Sequence, residues 1–574
     1  MSSTSAIKDR KFIRAMKEAP HLEGYVLGLA RRGLPVPVFY ERVESSMKSL
    51  QSPNLIYPVG NQIFIHINSS PATLKASGDE DDDNNDGYAN YTIVEPAMPD
   101  LRLLGEVDRL FSMEAGVIRP PEEYEKRLYL VDKFLEKFCT LSDAPVDYGK
   151  NTVQRGSWIG KLARKIPIYR GDFPSLRYHF IRRRLGSGLL EPFLTDPYLE
   201  DVSVAGAGNI YVVHKIFGSL RVPVLLNEEE IDDLIIGLSE QFGKTVSHAR
   251  PVIDTTLPEG SRINVIFGRD ISRKGTNATI RKFAKVPLSI TQIISSKTLD
   301  SKEAAYLWMM LGEGMSVFIC GETASGKTTT MTAISAFIPS TFKIVSIEDT
   351  PEISLPHPNW VNEITRDTGN PHSSVTMFDL LKAALRQRPN YILVGEIRGA
   401  EGNVAFQAMQ TGHPVMSTFH AASVQSLIQR LTGIPISVPK THIDNLNIAL
   451  FQSAVQGKDG KMVRRVMTIN EIIGYSGVTD NVLFIPVFNW DPATDTASYR
   501  GKGSSSLFLT KLLLRRGLSR KDEGLLYEEL ELRAKILERM VEQKIFDYFD
   551  VYHRITKVKE IGVEAYLNTV LNRT

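Results

Sequence analysis

The residues Gly321-Glu-Thr-Ala-Ser-Gly-Lys-Thr328 have the spacing G-x-x-x-x-G-K-[ST] of a loop that cradles phosphate. The short apolar, β-favouring run 316–320 precedes them, and 327–337, free of Gly and Pro, reads as a helix behind them. A strand feeding a glycine loop feeding a helix aims backbone N–H groups and the positive end of the helix dipole at one point, where a triphosphate can sit. Gly321, Glu322, Thr323, Ala324, Ser325, Gly326, Lys327, Thr328 and Thr329 are the expected nucleotide contacts. Lys327 would reach the β- and γ-phosphates, and Thr328 would hold Mg²⁺ through its hydroxyl. Hydrolysis also needs a carboxylate to position or deprotonate water. The run 342–347 ends in Glu348-Asp349 with Glu352 following, and the run 391–395 is closed by Glu396. A third run, 414–419, delivers His420 and has His413 at its other end. In an open parallel sheet, ligands bind beyond the carboxyl ends of the strands. Glu348, Glu396 and His420 are thus expected on the edge that carries the loop, with Glu396 as the leading catalytic carboxylate. Gly395 stands where an Asp usually binds metal, so Mg²⁺ would lean on Thr328, the phosphates and water. For His413 a local hydrogen bond is an equal alternative to a place in the site.

Positioning these groups takes a domain that alternates strands with helices, expected over 286–475, which argues for an α/β fold with a mostly parallel sheet. Its helix 375–388 is stopped by Pro389. An α+β domain is expected over 168–285. There the helix 173–184 ends in Arg182-Arg183-Arg184 before Gly186, which suits a helix C-terminus in charge and in shape. Strands follow at 209–213 and 220–225, and Asn227 with Glu230 makes a capping box. The strands 261–267 and 276–282 bring a cluster of cations, Arg262, Arg269, Arg273, Lys274, Arg281 and Lys282. Solvation explains any one of them, but their density beside a phosphate loop suggests an arginine that offsets charge on a transferred phosphoryl group.

The 574 residues predict three or four domains, and 42% hydrophobic with 23% charged residues is ordinary for a globular protein. A formal net charge of +2 gives no global push towards nucleic acid. Cys139 and Cys320, far apart, suggest a reducing compartment rather than a disulfide framework. The first residues lack a signal-peptide core, and no run approaches ~18 apolar residues, so a cytoplasmic protein is expected. Residues 1–145 read as a small N-terminal domain, α+β and helical. Its first segment interleaves Lys8, Arg10, Lys11, Arg14 and Lys17 with Ile7, Phe12, Ile13 and Met16. That pattern fits a basic amphipathic helix, either on an anionic membrane or packed on its own domain. Six carboxylates between Gly78 and Gly87 repel one another, which makes 76–90 a flexible loop; the 12-position pattern of a calcium loop is missing. Residues 146–167 are a plausible linker. After 475 a strand near 480–490 and helices over 521–550 form an extension, 476–574.

Four boxes in order resemble the secretion ATPase superfamily, which includes the motors of type II and type IV secretion, type IV pili and the archaellum. They are the phosphate loop (Walker A); the acidic box Ile347-Glu-Asp-Thr-Pro-Glu352; Ile392-Leu-Val-Gly-Glu-Ile-Arg-Gly-Ala-Glu401, an atypical Walker B; and the His box Thr411-Gly-His-Pro-Val-Met-Ser-Thr-Phe-His-Ala421. Asp196-Pro-Tyr-Leu-Glu-Asp201, Leu257-Pro-Glu-Gly-Ser-Arg262 and Thr279-Ile-Arg-Lys-Phe283 look most like the archaeal branch, and the resemblance spans roughly 170–475. Two cysteines cannot build the tetracysteine zinc module of many bacterial relatives. The resemblance implies a RecA-like P-loop NTPase domain in a homo-hexamer, with ATP and Mg²⁺ bound between the two core domains. It further implies Glu396 as catalytic base, Glu348 supporting metal and water, and His420 sensing the γ-phosphate. Arg262, Arg273 and Arg281 match the positions of the family's arginine contacts. The implied function is hydrolysis of ATP to drive pilus-like filament assembly or protein secretion through an integral-membrane platform protein. The motor would be peripheral at the inner face of the cell membrane, with no transmembrane segment of its own and no stable nucleic-acid partner. A nucleic-acid translocase and a nucleotide-gated scaffold without turnover are the alternatives.

Overall fold

The structure, a computed structural model, describes residues 9–44, 47–48, 50, 52–60, 62–69, 88–115, 123–148, 165–241, 245–257, 259–282, 286–366, 372–457, 460 and 462–568. Of the acidic loop only Tyr88 onward is included, and 149–164 of the expected linker, like Ile7 and Lys8, lie outside the described residues. The chain divides into two compact units, Met1–Phe283 and Ala284–Thr574.

In the first unit, the described residues build a ten-stranded sheet. The N-terminal strands Asn54–Pro58, Phe64–Asn68 and Ala89–Val94 continue, through a parallel pairing of Ala89 with Leu220 and Asn90 with Arg221, into strand Gly218–Leu226. Beyond it lie Gly208–His214, Leu199–Val204, Asn277–Arg281, Arg262–Ile266 and Val252–Thr256, all antiparallel to their neighbours. These strands alternate in burial, as in Arg262–Ile266 and Asn277–Arg281, because one face packs on a core and the other meets water. Residues from both expected domains share that core, among them Leu55, Tyr57, Tyr91, Val202, Ile235 and Ile263. At its centre the buried Asp196 accepts the hydroxyls of Tyr57 at 2.9 Å and Tyr91 at 2.8 Å. The capping box forms as expected: Asn227 and Glu230 exchange hydrogen bonds, both at 2.9 Å. Helix Arg10–Glu18 buries Phe12 and Met16, and Phe12 stacks on Phe39 with ring centroids 5.1 Å apart. The apolar face of the basic helix is thus covered within its own unit. Helices Leu101–Ala115 and Tyr124–Phe138 pack on Phe173–Arg184 through Leu104, Val107, Phe134 and Phe180. At either end of the undescribed stretch, Cys139–Ser142 and Ile166–Tyr169 pair as parallel strands.

The second unit is α/β, with a mostly parallel sheet. Among its described residues a nine-stranded sheet runs in the order Trp360–Ile364, Ile344–Glu348, Tyr391–Glu396, Val415–Phe419, Val317–Cys320, Ile448–Gln456, Met462–Ser476, Asn481–Asp491, Thr496–Tyr499. Pairings are parallel up to Ile448–Gln456 and antiparallel from there on. Val317–Cys320, Ile344–Glu348 and Val415–Phe419 are buried throughout, since helices cover both faces of a parallel sheet and leave no wet side to alternate with. Helix Met377–Arg386 opens on a capping box between Thr376 and Asp379 and stops short of Pro389. Past residue 475 the chain stays in this unit. Helices Glu523–Glu542 and Tyr548–Ile561 contribute Leu530, Leu537, Tyr548 and Val551 to the same apolar cluster as Leu307, Met331 and Leu450. The Tyr548 hydroxyl donates to the Thr332 carbonyl at 3.2 Å, on the helix that follows the phosphate loop. Glu471, fully buried, accepts from the hydroxyls of Tyr306 and Ser505 and from the Leu507 N–H, which pins the start of the C-terminal helical segment to the sheet. Among the described residues no helix is long and apolar enough to cross a membrane, and no group of three or more His, Cys, Asp or Glu side chains could hold a metal ion.

Candidate functional site

Strand Val317–Cys320 hands the chain to the phosphate loop, which turns into helix Lys327–Ser335 through Gly326. Gly326 has φ +92°, a left-handed conformation that glycine adopts without strain. Gly321 is needed for a different reason: a Cβ there would lie 2.2 Å from the Gln452 carbonyl oxygen. Gln452, buried in the adjacent strand, also holds the loop with its side chain. Its Nε2 donates to the Ser325 carbonyl at 2.7 Å, and its Oε1 accepts from the Thr330 hydroxyl at 2.8 Å. Inside the loop the Ser325 hydroxyl (2.8 Å) and Lys327 Nζ (2.7 Å) both donate to the Glu322 carbonyl. Burial lowers the Lys327 pKa, so its ammonium is partly stripped of water and gains from any anion brought beside it. Glu322, Thr323, Ala324 and Thr329 are exposed, and Thr328 is half-buried.

The two strand-end carboxylates lie beside each other in contrasting surroundings. Glu348 is buried; its Oε1 accepts the N–H groups of Glu352 and Ile353, both at 2.9 Å, while its Oε2 has no hydrogen-bond partner among the described residues. Burial pushes its pKa up to about 7. Glu396 ends the next strand, and both its oxygens are engaged: Oε2 by Arg398 Nη2 at 2.5 Å and Oε1 by His420 Nε2 at 3.0 Å. Burial works to raise the Glu396 pKa, but Arg398, His420 and Lys327 outweigh it and hold the carboxyl below its ordinary value. Burial and the nearby Lys327 lower the pKa of His420, so at neutral pH its uncharged ring donates through Nε2 to a carboxylate that can only accept. Gly395 separates the two acids. A Cβ on it would stand 3.3 Å from Glu348 Cγ, so the position where an Asp is usual is reserved here for the close approach of the neighbouring strand. The Thr418 hydroxyl, from the His420 strand, donates to the Gly395 carbonyl at 2.6 Å.

The expected residues of the second unit, the loop, Glu348, Glu396 and His420, thus meet at the carboxyl ends of neighbouring parallel strands. His413 is at the opposite end of its strand, with Nδ1 at 3.2 Å from the Thr411 hydroxyl, the local alternative. The three arginines belong to the first unit. Arg262 makes a two-pronged pair with Asp254, at 2.9 and 2.5 Å, and stands across the strand pair from the exposed Arg281. Arg273, exposed, lines an open concavity of about 330 Å³ with Lys274, Thr279 and Ser203. Two contributors escaped the sequence reading. Gln452 left one signal, an amide inside an apolar run, which in a buried strand must find partners. Arg398 stood in a quoted box without a role.

Residues 184–457 match the model of the family described as type II/IV secretion system protein. An uncharacterized protein of Methanocaldococcus jannaschii is 45% identical over 555 residues, 96% of this chain and 97% of that protein. Protein VirB11 of Agrobacterium fabrum is 27% identical over 264 residues, 41% of this chain and 76% of VirB11. The X-ray structure of the Legionella pneumophila ATPase DotB overlays with a TM-score of 0.37 at 21% identity, covering 58% of this chain and 92% of DotB, an overlap too low to argue from.

Proposed function

The chain belongs to the type II/IV secretion system protein family, and from that premise we propose that it is a hexameric motor that hydrolyses ATP to assemble a pilus-like filament or to secrete protein through a membrane platform. The observation that carries the reading is the meeting of a phosphate loop, a carboxylate flanked by cations and a second, dry carboxylate at one sheet edge. Lys327 and the loop N–H groups bind the β- and γ-phosphates. Glu396 accepts the proton of the attacking water as its oxygen bonds to the γ-phosphorus and the bond to the departing ADP oxygen breaks. His420, bonded to Glu396, registers whether the γ-phosphate is present. The residues fit a magnesium ion: the Thr328 hydroxyl opens the helix after the loop, and the unpartnered Glu348 Oε2 can accept from metal-bound water. That ion would neutralise charge on the β- and γ-oxygens. An integral-membrane platform protein would hold the motor at the inner face of the membrane, and nucleic acid is not expected as a partner.

The test is phosphate release by the full chain, alone and with its platform protein, beside Glu396→Gln. Turnover by the native chain, lost in Glu396→Gln with ATP still bound, is the expected result. Stimulation by DNA or RNA instead of the platform would turn the reading to a translocase. ATP binding without any phosphate release by the native chain would leave a scaffold.

A further inference from the structure

A water-activating carboxylate must take a proton on one of its oxygens, and each oxygen of Glu396 already accepts one donor. One donor, His420, is an uncharged ring. The other, Arg398, is a permanent cation two residues along the same chain.

We propose that Arg398 is a latch on Glu396: its guanidinium holds one carboxylate oxygen and offsets the negative charge that would draw a proton from water, and it lets go when a polyanion in the phosphate loop draws the guanidinium away. The proposal deepens the hydrolytic reading above and rests on it. Three features make the contact a latch rather than a fixed strut. The backbone of Arg398 is anchored independently of its side chain, since its N–H (2.7 Å) and that of Gly399 (2.6 Å) both donate to Glu401 Oε1. The Arg398 side chain is 64% exposed, so it can swing without opening a packed core. Its surroundings also give it somewhere to go. Lys327, Arg398 and His420 face Glu396, and Asp349 and Glu352 act on Arg398 from the neighbouring strand end. Around Glu396 itself positive charge exceeds negative, an arrangement suited to a ligand with more negative charge than one carboxylate. Occupancy of the loop and basicity of Glu396 are then coupled: the base is muted until its substrate arrives.

Arg398 thus acts through Glu396 and is a positioning residue. The experiment is the pH dependence of kcat/KM, which reports the free enzyme, and of kcat, which reports the ATP-loaded enzyme, for ATP hydrolysis by the full chain, with Arg398→Ala and Arg398→Lys, and with Arg398→Gln in place of the alanine variant if that one does not fold. Without the guanidinium the carboxyl of the free enzyme loses its closest cation, so the acidic limb of kcat/KM should move up by about one pH unit, while that of kcat, where the guanidinium is already drawn away, should keep its native position. Arg398→Lys keeps a cation and should restore the native limb. An unmoved acidic limb of kcat/KM in Arg398→Ala, or an equal shift of the kcat limb, overturns the latch while leaving hydrolysis intact. Absence of turnover in the native chain instead overturns the hydrolytic reading, and the latch with it.

Discussion

The ends of strands Ile344–Glu348 and Tyr391–Glu396 are neighbours in one sheet, each closed by a glutamate, yet they are opposite electrical environments. Around Glu348 the protein is dry, and what stabilises the anion is two backbone N–H groups; its pKa rises to about 7. Around Glu396 the protein is open and cationic, and its pKa falls. Two like side chains one strand apart are thus set to differ in protonation, which is how one site can hold an acid and a base near neutral pH. What the contrast teaches is that strand position delivers a carboxylate, whereas the residues around it decide its chemistry.

The comparison breaks most visibly if the two acids prove interchangeable. Glu396→Gln should lower phosphate release by about 10²–10⁴-fold with ATP binding retained, measured by turnover beside equilibrium nucleotide binding. Glu348→Gln should show itself in stability. The folded chain holds the Glu348 proton more tightly than the unfolded one, so native stability is favoured on the acid side and falls as pH rises from about 4.5 to about 7. The glutamine variant should lack that fall, and the difference between the two, read from denaturant melts at pH 5 and pH 8, should be on the order of 3 kcal/mol. Gly395→Ala would press a methyl against Glu348 and should cost about 1–3 kcal/mol, detectable in the same melts. The smallest effect belongs to His420→Asn. Because the ring is uncharged at neutral pH, its loss should move the acidic limb of kcat/KM by less than about half a unit, well short of the shift expected for Arg398→Ala.

Much of this edge was legible in the sequence, because phosphate loops, strand-end acids and capping pairs are local patterns. The run before Gly321, Glu348 and Glu396 at strand ends, and the Asn227–Glu230 box all stand where spacing put them. What could not be read was non-local. Nothing in 88–95 announces that Ala89 and Asn90 pair with Leu220 and Arg221, a contact that makes one sheet of two apparently separate stretches. Gln452 lies 127 positions past Ser325, whose carbonyl it holds, and an apolar run with one amide does not say which carbonyl the amide will find. The extension past residue 520 read as helical, and that alone could not name Thr332 and the phosphate-loop helix as what it covers.

The hydrogen bond from Tyr548 to Thr332 also bears on genetics. Stop codons between residues 500 and 548 leave every sequence box of the ATPase intact, yet they strip away the helix that backs the loop and lay bare Met331 and Ile334 of its core. Such late truncations are expected to behave as null alleles, indistinguishable in phenotype from loss of Lys327 itself.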